Sequence, residues 1–279
     1  MNSWFYFDDC LAPGDQKSRA FDAGGIEVIS IESVDHPLFE KAFLALWSEF
    51  GEKAEIEQRS VIQSRLEWQG RKFDSNERYF YQLLWIEKGG IPFGVRDHTV
   101  IYRPEQNRIV VHLSHNFLFP IARRTGLAGW MRGWPLLLAR QCQKEWGIDL
   151  PISLVAEMEP VHPDYPERLP RLISVEKAGF LKVKDFDYLQ PDFRAPEAID
   201  LTGDSAPLEM SLIVRRVEEE GSGAISGKEL HDMVTSLYRM YGRGLRASEM
   251  KSPWTKVAQI DLKSNYLLVK PTLFDDKVN

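Results

Sequence analysis

The chain has 279 residues, an apolar share of 43%, a charged share of 27% and a formal net charge of −6. That size is expected to give one large domain, with or without an appendage, around a substantial core, and the negative balance excludes general nucleic-acid binding, which needs concentrated lysine and arginine. Cys10 and Cys142 are too few for a disulfide scaffold or a cysteine-rich zinc site, no stretch approaches the roughly 20 apolar residues of a membrane span, and the acidic start MNSWFYFDDC shows no secretory pattern, so a cytoplasmic protein without a membrane partner is expected.

Residues 1–23 carry aromatics and then the turn-prone run APGDQKS, an extension in which Trp4, Phe5 and Phe7 are expected to pack onto the domain surface. Gly24-Gly25 opens the first convincing strand, Ile26 to Ile31. Asp35 is a suitable helix cap and Pro37 is tolerated in a first turn, so a helix is expected to start there and bury Phe39, Ala42, Phe43, Leu46 and Trp47. A second helical stretch is expected from Ala54 to Trp68. Tyr79 to Glu87 reads as a strand, Lys88-Gly89-Gly90 as a turn and Phe93 to Arg103 as a strand, with a hairpin turn at Pro104 to Asn107.

Arg108 to Leu113 (RIVVHL) reads as the central strand, and Leu127, Trp130, Met131, Trp134, Leu138 and Cys142 fall at helical spacing. Between them lies LFPIARRTGLAG. A helix start exposes unpaired N–H groups and the positive end of the dipole, so it attracts anions. Gly126 and Ala128 leave the main chain uncovered, and Arg123, Arg124 and Arg132 add positive charge. An ordinary βα connection with solvated arginines has the same local pattern, so context must decide. Pro135 lies beyond the first helical turn and removes a hydrogen bond to the Met131 carbonyl, which predicts a kink.

Ile152 to Met158 alternates as a strand, with Val155, Glu157 and Glu159 on one side and Leu154, Ala156 and Met158 on the other. A proline-rich loop from Pro160 to Pro170, a helix from Arg171 to Ala178 and a strand near Phe180 to Leu189 follow. Leu208 to Val217 reads as the final core strand, and Glu218 to Gly223 as a hinge-like boundary. Ser226 and Glu229 form a capping box for a helix from Lys228 to about Tyr241, with an apolar edge of Leu230, Met233, Leu237 and Met240. Tyr266 to Val269 is β-like. The expected organisation is an extension (1–23), a main domain (24–217) and a C-terminal helical appendage (218–279) that covers a cleft, lies on the core or makes a homodimer contact.

Leu118, Pro120, Arg123, Gly126 and Ala128 together fit the pattern Leu/Val-x-Pro-x-x-Arg-x-x-Gly-x-Gly/Ala. The segment therefore resembles motif A of the GNAT-type N-acetyltransferases, whose turn cradles the pyrophosphate of acetyl-CoA. Ser174 to Phe180 (SVEKAGF) is similar to the family's second signature, but Val175 stands where the family usually has tyrosine. The resemblance implies an α+β (mixed α/β) fold with a twisted, mostly antiparallel sheet flanked by helices. It also implies acetyl-CoA held by Leu118, Arg123, Arg124, Thr125, Gly126, Leu127 and Ala128, and direct acetyl transfer to a small-molecule or protein amine.

Such a transfer needs a neutral amine, a polarised carbonyl and a proton for the departing thiolate. Glu157 and Glu159 share the face beside the central strand and are the candidate bases, with a salt-bridged strand end as the plain alternative. His162, in a loop, is less constrained. With valine at 175 the acid position is vacant, so Tyr188, Tyr165 or water must serve, or the protein binds acyl-CoA in a regulatory role with little catalysis. GSGAISGK (Gly221 to Lys228) lacks the spacing and hydroxyl of a nucleotide loop. His112 and His115 are expected on opposite faces of a strand, so no metal pair is expected.

Overall fold

β-branched and aromatic runs separated by glycine or proline turns make four consecutive strands, β1 (Ile26–Ile31), β2 (Arg78–Lys88), β3 (Ile91–Tyr102) and β4 (Ile109–Leu118), each antiparallel to the one before. The structure, a computed structural model, describes residues 7–15, 21–73, 75–202 and 205–273. Next to β4 lies β5 (Ile152–Met158), parallel to it, and then β8 (Leu208–Arg216), β6 (Leu181–Val183), β10 (Asn265–Val269) and β9 (Ala224–Ser226), all antiparallel. The short β7 (Tyr188–Gln190) also pairs with β8. This is the mixed, mostly antiparallel sheet flanked by helices that the GNAT resemblance implied, with its element order. Among the described residues no helix is long and apolar enough to cross a membrane.

Alternation along the strands sorts the apolar side chains into two layers. One face carries Tyr81, Val110 and Val155 and is covered by α1 (Phe39–Phe50), α2 (Arg59–Leu66) and α7 (Gly227–Tyr241). The other carries Val111, Leu154 and Ala156 and is covered by α3 (Leu127–Met131) and α4 (Gly133–Trp146). The break between α3 and α4 falls at Arg132, where Pro135 has no amide to offer the Met131 carbonyl.

Several boundaries differ from expectation for identifiable reasons. No side chain caps α1, which starts at Phe39 after a turn in which the Leu38 amide bonds to His36 Nδ1 (3.2 Å). The second helix begins only at Arg59, because Ala54 takes a left-handed conformation (φ 53°) that interrupts the helical run. Asp185 (φ 57°) likewise divides the strand expected near Phe180 to Leu189 into β6 and β7. At the N-terminus Phe7 is buried between Trp130 (5.1 Å between ring centroids) and Trp134 (5.3 Å), while Trp4 and Phe5 lie outside the described residues.

The C-terminal region lies on the core, one of the arrangements expected for it. Leu230, Met233, Leu237 and Met240 are fully buried against the sheet, and β9 and β10 extend that sheet beyond β6, so β8 is not its last strand in sequence. The amphipathic face of α7 requires an apolar partner, and the main core supplies it. Three further helices are α5 (Leu169–Lys177), α6 (Pro196–Thr202) and α8 (Ala247–Ala258); Met250 of α8 is buried in the layer that α7 covers, and Ile199 of α6 is also buried.

Candidate active site

β4 and β5 are paired only from Ile109 to His112 and from Ile152 to Val155. Beyond that point β4 stays with β3 and β5 stays with β8, so the strands part and open a cavity of about 850 Å³ lined by both. The parting occurs where β4 bulges. Thr99 faces His112 but Asp97 faces His115, so one residue of β3 opposes two of β4, Leu113 and Ser114. The extra residue resets the alternation and puts His112 and His115 on the same face, contrary to the expectation from spacing. Both line the cavity. No group of three or more His, Cys, Asp or Glu residues that could hold a metal is found among the described residues.

At one end of the cavity is the basic turn. Gly126 (φ 95°) and Arg124 (φ 65°) adopt left-handed conformations that aim the main chain into α3, and glycine is the residue that does so without strain. Thr125 Oγ1 donates to the Ala122 carbonyl (2.7 Å) and accepts from the Leu127 amide (3.3 Å), so one amide of the turn is capped internally. Among the described residues no acceptor engages the amides of Arg124, Thr125 or Ala128. Of the expected coenzyme residues, Leu118, Arg123, Arg124 and Ala128 line the cavity; the Leu127 side chain is fully buried in the core, and Thr125 and Gly126 shape the turn.

A residue that sequence reasoning passed over lies beneath this turn. Arg96 of β3 is 2% exposed, its Nε has no acceptor among the described residues, and it lines the cavity. Burial, and then the neighbouring Arg132 guanidinium, push its pKa down to about 9. Arg132 is itself committed to Asp15 (2.9 Å from Nε) and Ser174 Oγ (3.0 Å). A buried cation beside a second cation, with no carboxylate of its own, is unfavourable unless an anion joins it. A diphosphate fits that orphaned charge and the open amides.

At the other end are carboxylates. Glu157 of β5, with a side chain 4% exposed, accepts a hydrogen bond from the Tyr188 hydroxyl on one oxygen and from Tyr241 Oη (2.8 Å) on the other. Tyr241 Oη is also 3.1 Å from His112 Nε2, and His112 Nδ1 is 3.0 Å from Ser114 Oγ. Among the described residues no lysine or arginine pairs with Glu157. Glu159 is held by Arg168 (2.9 Å) and by Arg171. Glu55, in the segment between α1 and α2, also faces the cavity, and burial followed by the nearby Glu159 raises its pKa.

The structure therefore separates the candidates. Glu157 and Glu159 both reach the cavity, but only Glu157 lacks a guanidinium partner. Tyr188 is fully buried behind Glu157, and burial followed by the Glu157 charge raises its pKa well above the usual range, so it holds the carboxylate and does not itself face the cavity. Tyr165 is exposed, with its ring 4.2 Å from the Arg168 guanidinium, and His162 Nδ1 accepts from the Asp164 amide (3.2 Å); neither lines the cavity. Val175 does line it, so the position without a hydroxyl is at the site.

Neither a protein-family model nor any curated protein matches the sequence. Solved structures do. An aminoglycoside acetyltransferase, meta-AAC0020, from an uncultured soil metagenomic sample is 12% identical, with 53% of this chain and 86% of that chain covered and a TM-score of 0.34. The putative acetyltransferase yncA of Salmonella typhimurium, solved with acetyl-CoA, is 13% identical over 71% of this chain and 97% of that one (TM-score 0.35). The PaiA N-acetyltransferase of Thermoplasma acidophilum, solved with coenzyme A, is 14% identical over 68% and 98% (TM-score 0.33).

Proposed function

We propose that this chain, with its GNAT-type fold, is an acetyl-CoA-dependent N-acetyltransferase that transfers the acetyl group directly to a primary amine. The observation that carries this is the charge of both signs around the gap between β4 and β5. Arg96, Arg123, Arg124 and Arg132 line the cavity, and so do Glu55 beside His115 and Glu157 beside Tyr241 and His112; Lys53, Arg168 and Arg171 also line it but are paired with Glu49 and Glu159. A coenzyme brings a diphosphate and an acceptor brings an ammonium, so the two ends suit the two substrates.

The open amides of the turn and the unpaired Arg96 would hold the pyrophosphate, with Arg123 and Arg124 adding charge at the rim. The thioester supplies an acyl group already activated for attack. Glu157 is the base, because it is buried at the gap and is held by hydroxyls that leave its charge unneutralised. The carboxylate-lined half favours a cationic acceptor, either a small molecule or a protein amine. Val175, which puts an apolar group at the cavity wall, favours a second reading as an acyl-CoA-binding regulatory protein with little turnover.

Calorimetric titration with acetyl-CoA, followed by measurement of free coenzyme A released with a panel of amines, tests the proposal. Binding with amine-dependent release is expected. Tight binding without release on any amine would favour the regulatory reading, and absence of binding would contradict both.

A further inference from the structure

The N-acetyltransferase proposal leaves open how a protein with valine at position 175 protonates the departing thiolate, and the side chains around Glu157 offer a way. We propose that Ser114, His112, Tyr241 and Glu157 form one proton path that removes a proton from the acceptor amine and returns it to the thiolate. Tyr241, from the C-terminal helix α7, is its central link. The inference rests on the acetyltransferase proposal and assigns to these residues a role that it does not itself require.

The direction of each hydrogen bond follows from what the groups can do. Glu157 Oε2, as a carboxylate oxygen, only accepts, so Tyr241 Oη, at 2.8 Å, must give it the single phenolic proton. Tyr241 then has only lone pairs to offer His112 Nε2, at 3.1 Å, so the imidazole carries its proton on Nε2. In the neutral ring Nδ1 is left as an acceptor, and Ser114 Oγ, at 3.0 Å, donates to it. All three bonds point towards Glu157. All four residues belong to the cavity wall, where His112 (3% exposed), Tyr241 (1%) and the Glu157 side chain (4%) are buried and Ser114 is half-buried.

The groups packed around the path keep it in place without discharging it. Tyr188 occupies the second oxygen of Glu157. From α2, the Arg65 guanidinium lies 5.6 Å from the centroid of the Tyr241 ring but is paired with Glu57. Tyr238, one turn earlier on α7, donates to the Leu189 carbonyl (2.9 Å). The bulge at Leu113 and Ser114 turns Ser114 to the place where β4 leaves β5.

In the forward step the amine nitrogen bonds to the thioester carbonyl carbon, and the adduct nitrogen passes one proton to Ser114 Oγ. Each hydrogen bond shifts its proton one place, from Ser114 to His112 Nδ1, from His112 Nε2 to Tyr241 and from Tyr241 to Glu157, which becomes neutral. Every bond in the path now points back towards Ser114. As the carbon–sulfur bond breaks, the sulfur takes the proton of Ser114 and the path returns to its first state. One proton has moved from nitrogen to sulfur, and no other reactant is consumed.

Two readouts test this. Nitrogen-15 spectra of the free protein should show His112 protonated at Nε2 and should lose that tautomer in Tyr241→Phe. In turnover assays Tyr241→Phe and Ser114→Ala should lower kcat by factors on the order of 10²–10⁴ while acetyl-CoA affinity stays unchanged. The solvent-deuterium proton inventory, curved in the wild type because several protons move together, should become linear in both variants. Should Tyr241→Phe not fold, Ser114→Ala gives the same kinetic readout from the other end. A wild-type His112 protonated at Nδ1, or kcat unchanged in the variant that folds, would overturn the path while leaving the transferase proposal standing. Wild-type protein that releases no coenzyme A with any amine would overturn both.

Discussion

His112 and His115 lie on one face of one strand, three positions apart, and their partners differ in kind. His115 is buried with Nδ1 2.9 Å from Asp97 Oδ1 and Nε2 3.0 Å from the Glu55 carbonyl, so both ring nitrogens donate. Burial alone would lower its pKa, but the Asp97 carboxylate outweighs that and raises it to about 9. Asp97, which burial alone would raise, is brought down to about 2 by His115 and by hydrogen bonds that include Tyr81 Oη (3.0 Å). His112 instead has hydroxyls at both nitrogens, and its nearest carboxylate, Glu157, stands 3.9 Å away. A carboxylate in direct contact fixes the charge of an imidazole, whereas hydroxyls at both nitrogens let it accept on one side and donate on the other. The first arrangement suits structure and the second suits proton transfer.

Exchanging each histidine should expose this difference. His112→Gln, and likewise Glu157→Gln, should lower kcat by a factor on the order of 10²–10⁴ in a coenzyme A release assay while chemical denaturation stays close to wild type. His115→Gln should do the converse by leaving Asp97 a buried charge without its cation, and urea unfolding should show a loss of about 3–5 kcal/mol. A large stability loss in the His112 variant, with none in the His115 variant, would reverse the assignment.

The same pair predicts a pH dependence. The pKa of His115 is raised from 6.5 to about 9 on folding, so its contribution is complete below pH 6.5 and is lost as pH rises through about 9. The pKa of Asp97 is lowered from 3.8 to about 2, so its contribution is present above pH 3.8 and is lost as pH falls through about 2. Unfolding followed above neutral pH should therefore show a loss on the order of 3 kcal/mol in the wild type that His115→Gln lacks. The smallest expected effect is at the basic end of the cavity. Arg96→Gln removes a buried charge that has no carboxylate, so acetyl-CoA affinity should fall by about 1.5–3 kcal/mol, the value of a charge-assisted hydrogen bond, while the free protein becomes no less stable.

Much of this was legible in the sequence where the signal is local. The β-branched run Ile26–Ile31 and the alternating Ile152–Met158 form strands with those bounds, and the alternation put Glu157 on the face it occupies. The cap of α7 was readable from Ser226 and Glu229, whose amide bonds to Ser226 Oγ (3.2 Å). The vacancy at Val175 was visible at once. The remainder depends on pairing and docking that no single segment encodes. The bulge exists because β3 offers one residue where β4 spends two, so period-two reasoning placed His112 and His115 on opposite faces. Tyr241 is the last residue of a helix whose apolar stripe was clear, but its position beside Glu157 depends on where that helix docks. Arg96 reads as one charged residue in a strand until the neighbouring α3 and α4 show that it is buried.

In the proposed acetyltransferase a diphosphate sits on the basic turn with its acyl arm entering the gap between β4 and β5. Electron density from crystals soaked with acetyl-CoA tests this most directly. The expected result is the pyrophosphate within hydrogen-bond reach of the Arg124, Thr125 and Ala128 amides and the thioester between Ser114 and Glu157. Coenzyme bound elsewhere, or no density in the gap when the soak is saturating, would contradict it.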